Sequence, residues 1–577
     1  MVGPGARKII RSHPFEELRH RIDLIIVFSM REPFEFSKQL IEEACTGTQQ
    51  DSALAKQVEV SAKPRKFVTM RLPVAGRCAL HNFGCKASDG TRLWAGVREE
   101  SHWCFSLVPL WIGSKEDCLL DAATSPLLTD LYQINMIQAY LDHGDTDTAV
   151  FELFVRALPA RRRFLLAAGL HQALDFLENL RFSRPEIDWL KSTGRFKDNL
   201  LDYLADFRFS GDVHAIAEGT AFFINEPILR VTAPLPQAQL VESRLINILH
   251  FESLIAAKAA RCVLAAPGKL LVDFGMRRAH GAEAALLAAR ASYLAGFAGT
   301  ATVLAGQEFG IPLFGTMAHS FIEAQDDEAA AFENFARARP DNVVLLLDTY
   351  DTEAAAHKVV ALAPRLKASG ITIRGVRLDS GDLAALARSV RAILDRGGLH
   401  DVTIFASGGL NEDELAEFAR ASAPIDGFGV GTSLTTSSDV PAIDCVYKLQ
   451  EYAGLPRRKW SRQKATWPGR KQVWRRYDIE GRMAGDLISL DSGSAPTIAH
   501  KANPASAWEP LVHWVMRDGR RLAPSPSLDE IRQRAKHQLE RLPELLRRLD
   551  GHANYPVQVG DDLIKLAAKV DSRIRQG

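Results

Sequence analysis

Four short apolar runs between Val343 and Ser433, each ending in a turn of polar residues or glycine, constrain this chain more than any other stretch. The first, residues 343–347, is followed by Asp348-Thr349-Tyr350-Asp351, and the second, 375–378, by Asp379-Ser380-Gly381. The third, 402–406, leads into Ser407-Gly408-Gly409, and the fourth, 427–430, into Gly431-Thr432-Ser433. Amphipathic helical patterns at 353–366, 382–394 and 412–421 separate the runs. Short buried strands alternating with helices specify consecutive βα units around a parallel sheet. In each unit the polar residues lie just past the strand's carboxyl end, the rim on which an α/β barrel builds its site. The glycine turns after the last two runs suit phosphate, because bare backbone N–H groups can approach its oxygens. One such turn could be only a turn; four in register point to a site.

The remaining chain is read around this block. Residues 1–118 scatter cysteine, tryptophan and arginine without a sustained period, with one strand expected at 24–28 and one helix at 33–44. This is expected to be an accessory or poorly ordered extension. An α/β domain is expected over 119–235: a helix to about residue 142, strands at 149–155 and 164–169, and a hairpin pairing 214–216 with 221–224. Thr232–Pro236, with two prolines, reads as a linker. Residues 236–440 form the expected barrel: a long amphipathic helix at 237–263, a strand at 270–274 and an alanine-rich helix near 282–297. Short strands follow at 302–305 and 312–315, before the four units. The last segment, 441–577, is expected to pack back on the 119–235 domain. It holds a basic, tryptophan-bearing stretch at 457–476, read as a hairpin with solvated arginines, and a charged helix at 528–549 containing Pro543.

Composition sets limits on the class. A net charge of +1 in 577 residues gives no global field towards nucleic acid or an anionic membrane. The 46% hydrophobic and 24% charged content is that of an ordinary globular protein. Seven cysteines without a C-x-x-C pair indicate neither a zinc site nor a disulfide framework. No apolar run reaches membrane-spanning length, and no secretory signal is legible at the start, so a cytoplasmic setting is expected.

The carboxyl-end turns together offer Arg277, Arg278 and Arg377 as cations and Asp348, Asp351 and Asp379 as carboxylates, with one histidine, His319. Cations beside glycine cradles suggest a substrate with more than one phosphate. Carboxylates beside phosphates suggest sugar hydroxyls, Mg²⁺, or both. Loss of pyrophosphate from a sugar carbon would develop oxocarbenium character, which a fixed carboxylate stabilises. Taken singly, Arg277 and Arg377 could be ordinary ion pairs, Asp348 and Asp379 helix N-caps, and His319 and Phe274 core residues.

Five motifs occur in order: Leu127-Leu128-Thr129-Asp130-Leu131-Tyr132-Gln133, Asp273-Phe274-Gly275-Met276-Arg277-Arg278, Gly315-Thr316-Met317-Ala318-His319-Ser320, Gly375-Val376-Arg377-Leu378-Asp379-Ser380-Gly381-Asp382 and Gly429-Val430-Gly431-Thr432-Ser433. With them the chain, from about residue 119 onward, resembles the nicotinate phosphoribosyltransferases. The resemblance implies an irregular TIM-like α/β barrel of the type II phosphoribosyltransferase kind, with a mixed α/β domain built from the flanking segments. It implies a reaction of nicotinate with phosphoribosyl pyrophosphate, coupled to ATP hydrolysis through a phosphohistidine and assisted by Mg²⁺, in NAD salvage. His319 would be the phosphoryl acceptor, with Arg377 and Asp379 at the reacting carbon. Phe274 would stack on the pyridine ring, opposite Tyr132 of a neighbouring subunit in a homodimer, and Thr316 would contact nicotinate. Arg277 and Arg377 would hold the phosphorylated ribose, and Arg278 and Asp348 would belong to the substrate-binding set. Ser407, Gly408, Gly409, Gly431 and Thr432 would bind the 5′-phosphate, with Gly429 also in the substrate-binding set.

Three alternatives share parts of this pattern. Nicotinamide phosphoribosyltransferases carry an aspartate in a Gly-Thr-Asp-Thr-Val segment where this chain has Gly299-Thr300-Ala301-Thr302-Val303. Alanine removes the acceptor for an amide NH₂ and the charge that would repel a carboxylate, so the acid is favoured. Quinolinate phosphoribosyltransferases need no ATP coupling, which the histidine motif argues against. A non-catalytic relative would be expected to have lost His319, Arg377 or Asp379.

Overall fold

A computed structural model describes residues 124–159, 161–461, 464–491, 508–550 and 554–576, together with five strands between 22 and 106. The chain divides into two compact units, Met1–Asp121 and Ala122–Gly577. In the first, Ile22–Ser29 is the central strand of an antiparallel sheet. Phe67–Val74 and Glu59–Lys63 lie to one side of it, and Arg92–Glu99 and His102–Ser106 to the other. The strand expected at 24–28 falls within the central strand. The helix expected at 33–44 lies outside the described residues.

The second unit is built on a parallel sheet of six strands: β1 (Leu270–Asp273), β2 (Gly299–Thr300), β3 (Val343–Leu346), β4 (Ile373–Leu378), β5 (Thr403–Ala406) and β6 (Gly427–Val430). Their order is β2-β1-β6-β5-β4-β3, every ladder parallel. A parallel bridge from Thr300 to Leu313 adds a short edge segment beyond β2. Helices cover the strands, so residues such as Leu345, Val376, Ile404 and Val430 are fully buried and the strands read as apolar runs. The sheet curls into an incomplete barrel. Among the described residues no ladder joins the segment around Leu313 to β3, its successor in the chain.

A second, antiparallel sheet has the order Leu455–Pro456, Cys445–Tyr452, Thr148–Val155, Leu229–Pro234, Asp212–Ile216, Val512–Arg517, Arg520–Arg521. Strands from both ends of the unit therefore share one sheet. The helix Glu242–Ala265 runs between the two cores. Its Leu245, Ile248 and Leu249 pack in the core of the antiparallel sheet, and its Ile255, Ala256, Ala259 and Cys262 in that of the parallel sheet.

Several expectations are corrected. The hairpin over 214–224 does not form: Asp212–Ile216 pairs with Leu229–Pro234 and Val512–Arg517, while Ala221–Phe222 pairs with Leu165–Leu166. The linker expected at 232–236 is divided between the strand Leu229–Pro234 and the helix Leu235–Leu240. Its second proline opens the helix Leu235–Leu240, where a missing N–H costs nothing. The helix expected at 237–263 is interrupted at Val241. Residues 303–309 are a helix rather than a strand, closed by Gly310 in the left-handed conformation. In the basic stretch, Arg475 is not solvated: it is fully buried, bonded to Asp486 and to the Ala221 carbonyl. The charged helix expected at 528–549 stops at Arg541, and Pro543 caps the separate turn Glu544–Arg547.

Candidate functional site

Because the six strands are parallel, their carboxyl ends emerge on one rim, and neighbouring turns touch in sequence around it. The turns after β3 and β4 meet where Asp348 Oδ2 accepts from the Asp379 N–H at 3.1 Å and the Ser380 hydroxyl at 2.5 Å. Those after β4 and β5 meet where the Ser407 hydroxyl donates to Asp379 Oδ1. Arg377, near the end of β4, joins the most elements. Its Nη2 donates to Asp379 Oδ1 at 2.6 Å and its Nε to Ser407 at 2.8 Å. Its Nη1 reaches the Met317 carbonyl at 3.3 Å and the Thr316 hydroxyl at 3.4 Å. The guanidinium also lies 5.5 Å from the centre of the Phe274 ring, beyond β1.

His319 begins the short helix His319–Glu323 and is partly exposed. Its Nδ1 is 3.1 Å from the Thr349 hydroxyl, in the β3 turn, and its Nε2 is 3.9 Å from Asp379 Oδ2. Burial works to raise the Asp379 pKa. The Ser407 hydrogen bond and the Arg377 charge outweigh it and hold the carboxyl below its ordinary value. The rim thus presents an ionised carboxylate with a guanidinium bonded to it and an imidazole nitrogen 3.9 Å away.

Two glycines make the close approaches possible. Gly408 has φ +96°, and a Cβ there would lie 1.9 Å from the Asp379 carbonyl oxygen. A Cβ on Gly429 would lie 2.5 Å from the Phe274 ring. The N–H groups of Gly408, Gly409 and Gly431 have no acceptor among the described residues, which leaves them for an anion. Thr432 opens a one-turn helix beside Gly431. The Ser407 hydroxyl, by contrast, is committed to Asp379 and Arg377.

The acidic residues separate into two kinds. Asp351 and Asp382 are the helix N-caps, accepting from the N–H groups of Ala354 and Ala385. Asp348 and Asp379 cap nothing. Asp348 keeps one buried oxygen, Oδ1, without a partner. Among the described residues no group of three or more His, Cys, Asp or Glu could hold a metal. Mg²⁺ bound through one or two carboxylates and the phosphates of a substrate does fit Asp348 and Asp379.

Arg277 and Arg278 stand exposed on the turn Met276–Arg278, and neither has an ion-pair partner among the described residues. Tyr132 is not joined to the cluster. It projects half exposed from the first turn of the helix Leu131–His143, against Glu242 and Ser243, and burial, then Glu242, raise its pKa.

Two contributors escaped the sequence reading. Thr349 orients the His319 ring. Asp273 accepts from the Gly275 N–H at 2.8 Å and the Thr300 hydroxyl at 2.7 Å, fixing the turn that carries Phe274. Burial raises its pKa. The signal for Asp273 was its place at the end of an apolar run. Nothing in the sequence distinguishes Thr349 from any other turn threonine.

Family profiles match three stretches: the nicotinate phosphoribosyltransferase N-terminal domain at 127–250, the family proper at 270–453 and the C-terminal domain at 470–567. The chain is 47% identical over 446 residues to nicotinate phosphoribosyltransferase pncB2 of Mycobacterium tuberculosis, covering 77% of this chain and 93% of that protein. It is 34% identical to the nicotinate phosphoribosyltransferase of Bacillus subtilis, covering 78% of this chain and 94% of the relative. The crystal structure of human nicotinic acid phosphoribosyltransferase superimposes with a TM-score of 0.68 at 30% identity, covering 77% of this chain and 99% of that one.

Proposed function

The chain belongs to the nicotinate phosphoribosyltransferase family, and from that premise we propose how its own residues carry out the reaction. Its activity is nicotinate phosphoribosyl transfer in NAD salvage. The proposal adds that transfer is coupled to ATP hydrolysis through a phosphohistidine at His319, that Mg²⁺ accompanies the phosphates, and that two copies complete each site.

In this reading the nicotinate ring nitrogen attacks the anomeric carbon of phosphoribosyl pyrophosphate, and the bond to pyrophosphate breaks. Positive charge develops on the sugar, and Asp379, kept ionised by Ser407 and Arg377, stabilises it. Arg277 and Arg278 take oxygens of the phosphorylated substrate, and the Gly408, Gly409 and Gly431 amides, with Thr432, hold the 5′-phosphate. Asp348 and Asp379 would hold Mg²⁺, whose chemistry there is to neutralise the leaving phosphates. Thr349 occupies His319 Nδ1, which leaves Nε2 as the nucleophile for the γ-phosphoryl group of ATP, with ADP leaving. The observation that carries the proposal is the contact set joining Arg377, Asp379, Ser407 and His319 on one rim.

Selectivity for the acid is supported by Ala301. It lies just past β2, where its N–H is bonded to the Asp273 carbonyl and its side chain offers an amide no acceptor. The dimer is supported by Leu128, Leu131 and Tyr132, three large side chains 46–48% exposed around the start of one helix. Free thiols at Cys262 and Cys445 suit the reducing cytoplasm.

The experiment is to assay nicotinate mononucleotide formation with and without Mg·ATP, and to follow label from γ-labelled ATP. Wild type should be stimulated by ATP and acquire label; His319→Ala should do neither. Label on the His319→Ala protein would refute the phosphohistidine assignment.

A further inference from the structure

Away from the rim, five arginines converge. Arg162, Arg163, Arg261, Arg547 and Arg548 line a recess of about 10 Å³, and the rest of its lining residues are apolar. A cavity of that size holds about one water-sized species. Among the described residues, three of these arginines have a buried N–H without an acceptor: Arg162 Nε, Arg261 Nη2 and Arg547 Nε. Arg162 is 3% exposed and Arg261 5%. Arg162 bonds Asp439 and Ser437 through its two Nη atoms and Arg261 bonds Glu412 through Nε, so those carboxylates are already engaged by nitrogens other than the orphaned ones.

The choice of occupant follows from counting donors and acceptors. A water molecule accepts about two hydrogen bonds and must place two hydrogens of its own. Among the described residues no carboxylate lines the recess, and the nearby carbonyls of Leu545, Arg548 and Leu549 each accept from Arg163, which leaves at most a second lone pair on each. An anion accepts from every donor and also offsets the crowded positive charge. That crowding is felt at Arg163, whose pKa is lowered first by burial and then by the Arg261 charge.

We propose that this recess is a binding site for a single monatomic anion of the halide class, which ties the Arg162–Arg163 turn and the helix Glu242–Ala265 to the turn Glu544–Arg547. A wider groove of about 1340 Å³ shares Leu264, Arg547, Arg548 and Leu549 with the recess and gives the ion its way in.

The test uses the full chain. Melting is followed while chloride replaces gluconate at constant ionic strength, and crystals grown in bromide are examined by anomalous diffraction. A saturable rise of about 3 °C is expected at chloride a hundredfold above its Kd. Bromide should give an anomalous peak among the three orphaned N–H groups. Arg547→Gln should keep wild-type activity and lose at least two-thirds of the chloride-dependent rise. Inorganic phosphate, too large for the recess, should give no saturable rise. Equal chloride responses in wild type and Arg547→Gln would overturn the proposal. So would a phosphate response matching that of chloride, a recess peak without anomalous signal, or bromide at exposed arginines alone, an adventitious ion only.

Discussion

Gly408→Ala should be among the most damaging single-methyl changes in this protein. The new Cβ would stand 1.9 Å from the Asp379 carbonyl oxygen, whereas real Cβ contacts essentially never fall below 3.0 Å. The turns after β4 and β5 must therefore part by about 1.1 Å, the difference between those distances. Asp379, Arg377 and Ser407 are linked across that gap, so the separation acts on the reacting groups directly. A misplacement of about 1 Å costs roughly 100-fold in rate, or about 2.7 kcal/mol of transition-state stabilisation. Alanine in the left-handed conformation adds roughly 1–2 kcal/mol of strain. Gly398→Ala separates the two effects: Gly398 has φ +74° and open space around its Cβ, so it carries the strain without the collision. Initial-rate assays of nicotinate mononucleotide formation, with urea denaturation of both variants, should show kcat/KM down about 100-fold for Gly408→Ala and within threefold of wild type for Gly398→Ala. A Gly408→Ala enzyme within threefold of wild type would refute the claim that this glycine sets the spacing of the site.

Thr349→Val removes the hydroxyl at His319 Nδ1. A net hydrogen bond of about 1 kcal/mol corresponds to a roughly fivefold loss of ATP stimulation, which Thr349→Ser should restore; failure of the serine rescue would dismiss the orienting role. Ala301→Asp places a carboxylate where an acid substrate is expected. It should lower kcat/KM for nicotinate about tenfold or more while raising that for nicotinamide, and an unchanged ratio between the two would defeat the selectivity argument. The depressed Asp379 pKa makes a signed prediction. Its ion pair contributes stability that is fully present above the unfolded value of about 3.9 and is lost as pH falls through the lower folded value. The stability gap between wild type and Asp379→Asn should therefore be flat from neutral pH down to about pH 5 and should shrink below about pH 4. A gap that narrows near neutrality instead would contradict it.

The parallel sheet was legible because strands covered by helices are mostly apolar, and their turns then declare themselves by contrast. The same turns hid the division of labour among aspartates. Asp348, Asp351, Asp379 and Asp382 are one residue type in one kind of loop, and only the direction of each carboxylate separates the caps Asp351 and Asp382 from the rim pair. The antiparallel sheet was illegible for another reason. Asp212–Ile216 finds its partner in Val512–Arg517, from the far end of the unit, and local pattern carries no trace of that pairing. The nearby run Ala221–Phe222 therefore looked like its mate. Arg475 was misread because a buried ion pair and a solvated arginine have the same sequence until Asp486 is seen beside it.

The helix Glu242–Ala265 is common property of two apolar interiors, and this has a bearing on how the chain can be divided. A cut near residue 235 leaves Leu245, Ile248 and Leu249 bare on the barrel fragment, and a cut after Ala265 does the same to Ile255, Ala256 and Ala259 on the other. Neither fragment keeps a closed interior, so chemical denaturation of Ala122–Gly577 should proceed in one step seen alike by every probe, and severing it should yield two insoluble pieces rather than two domains.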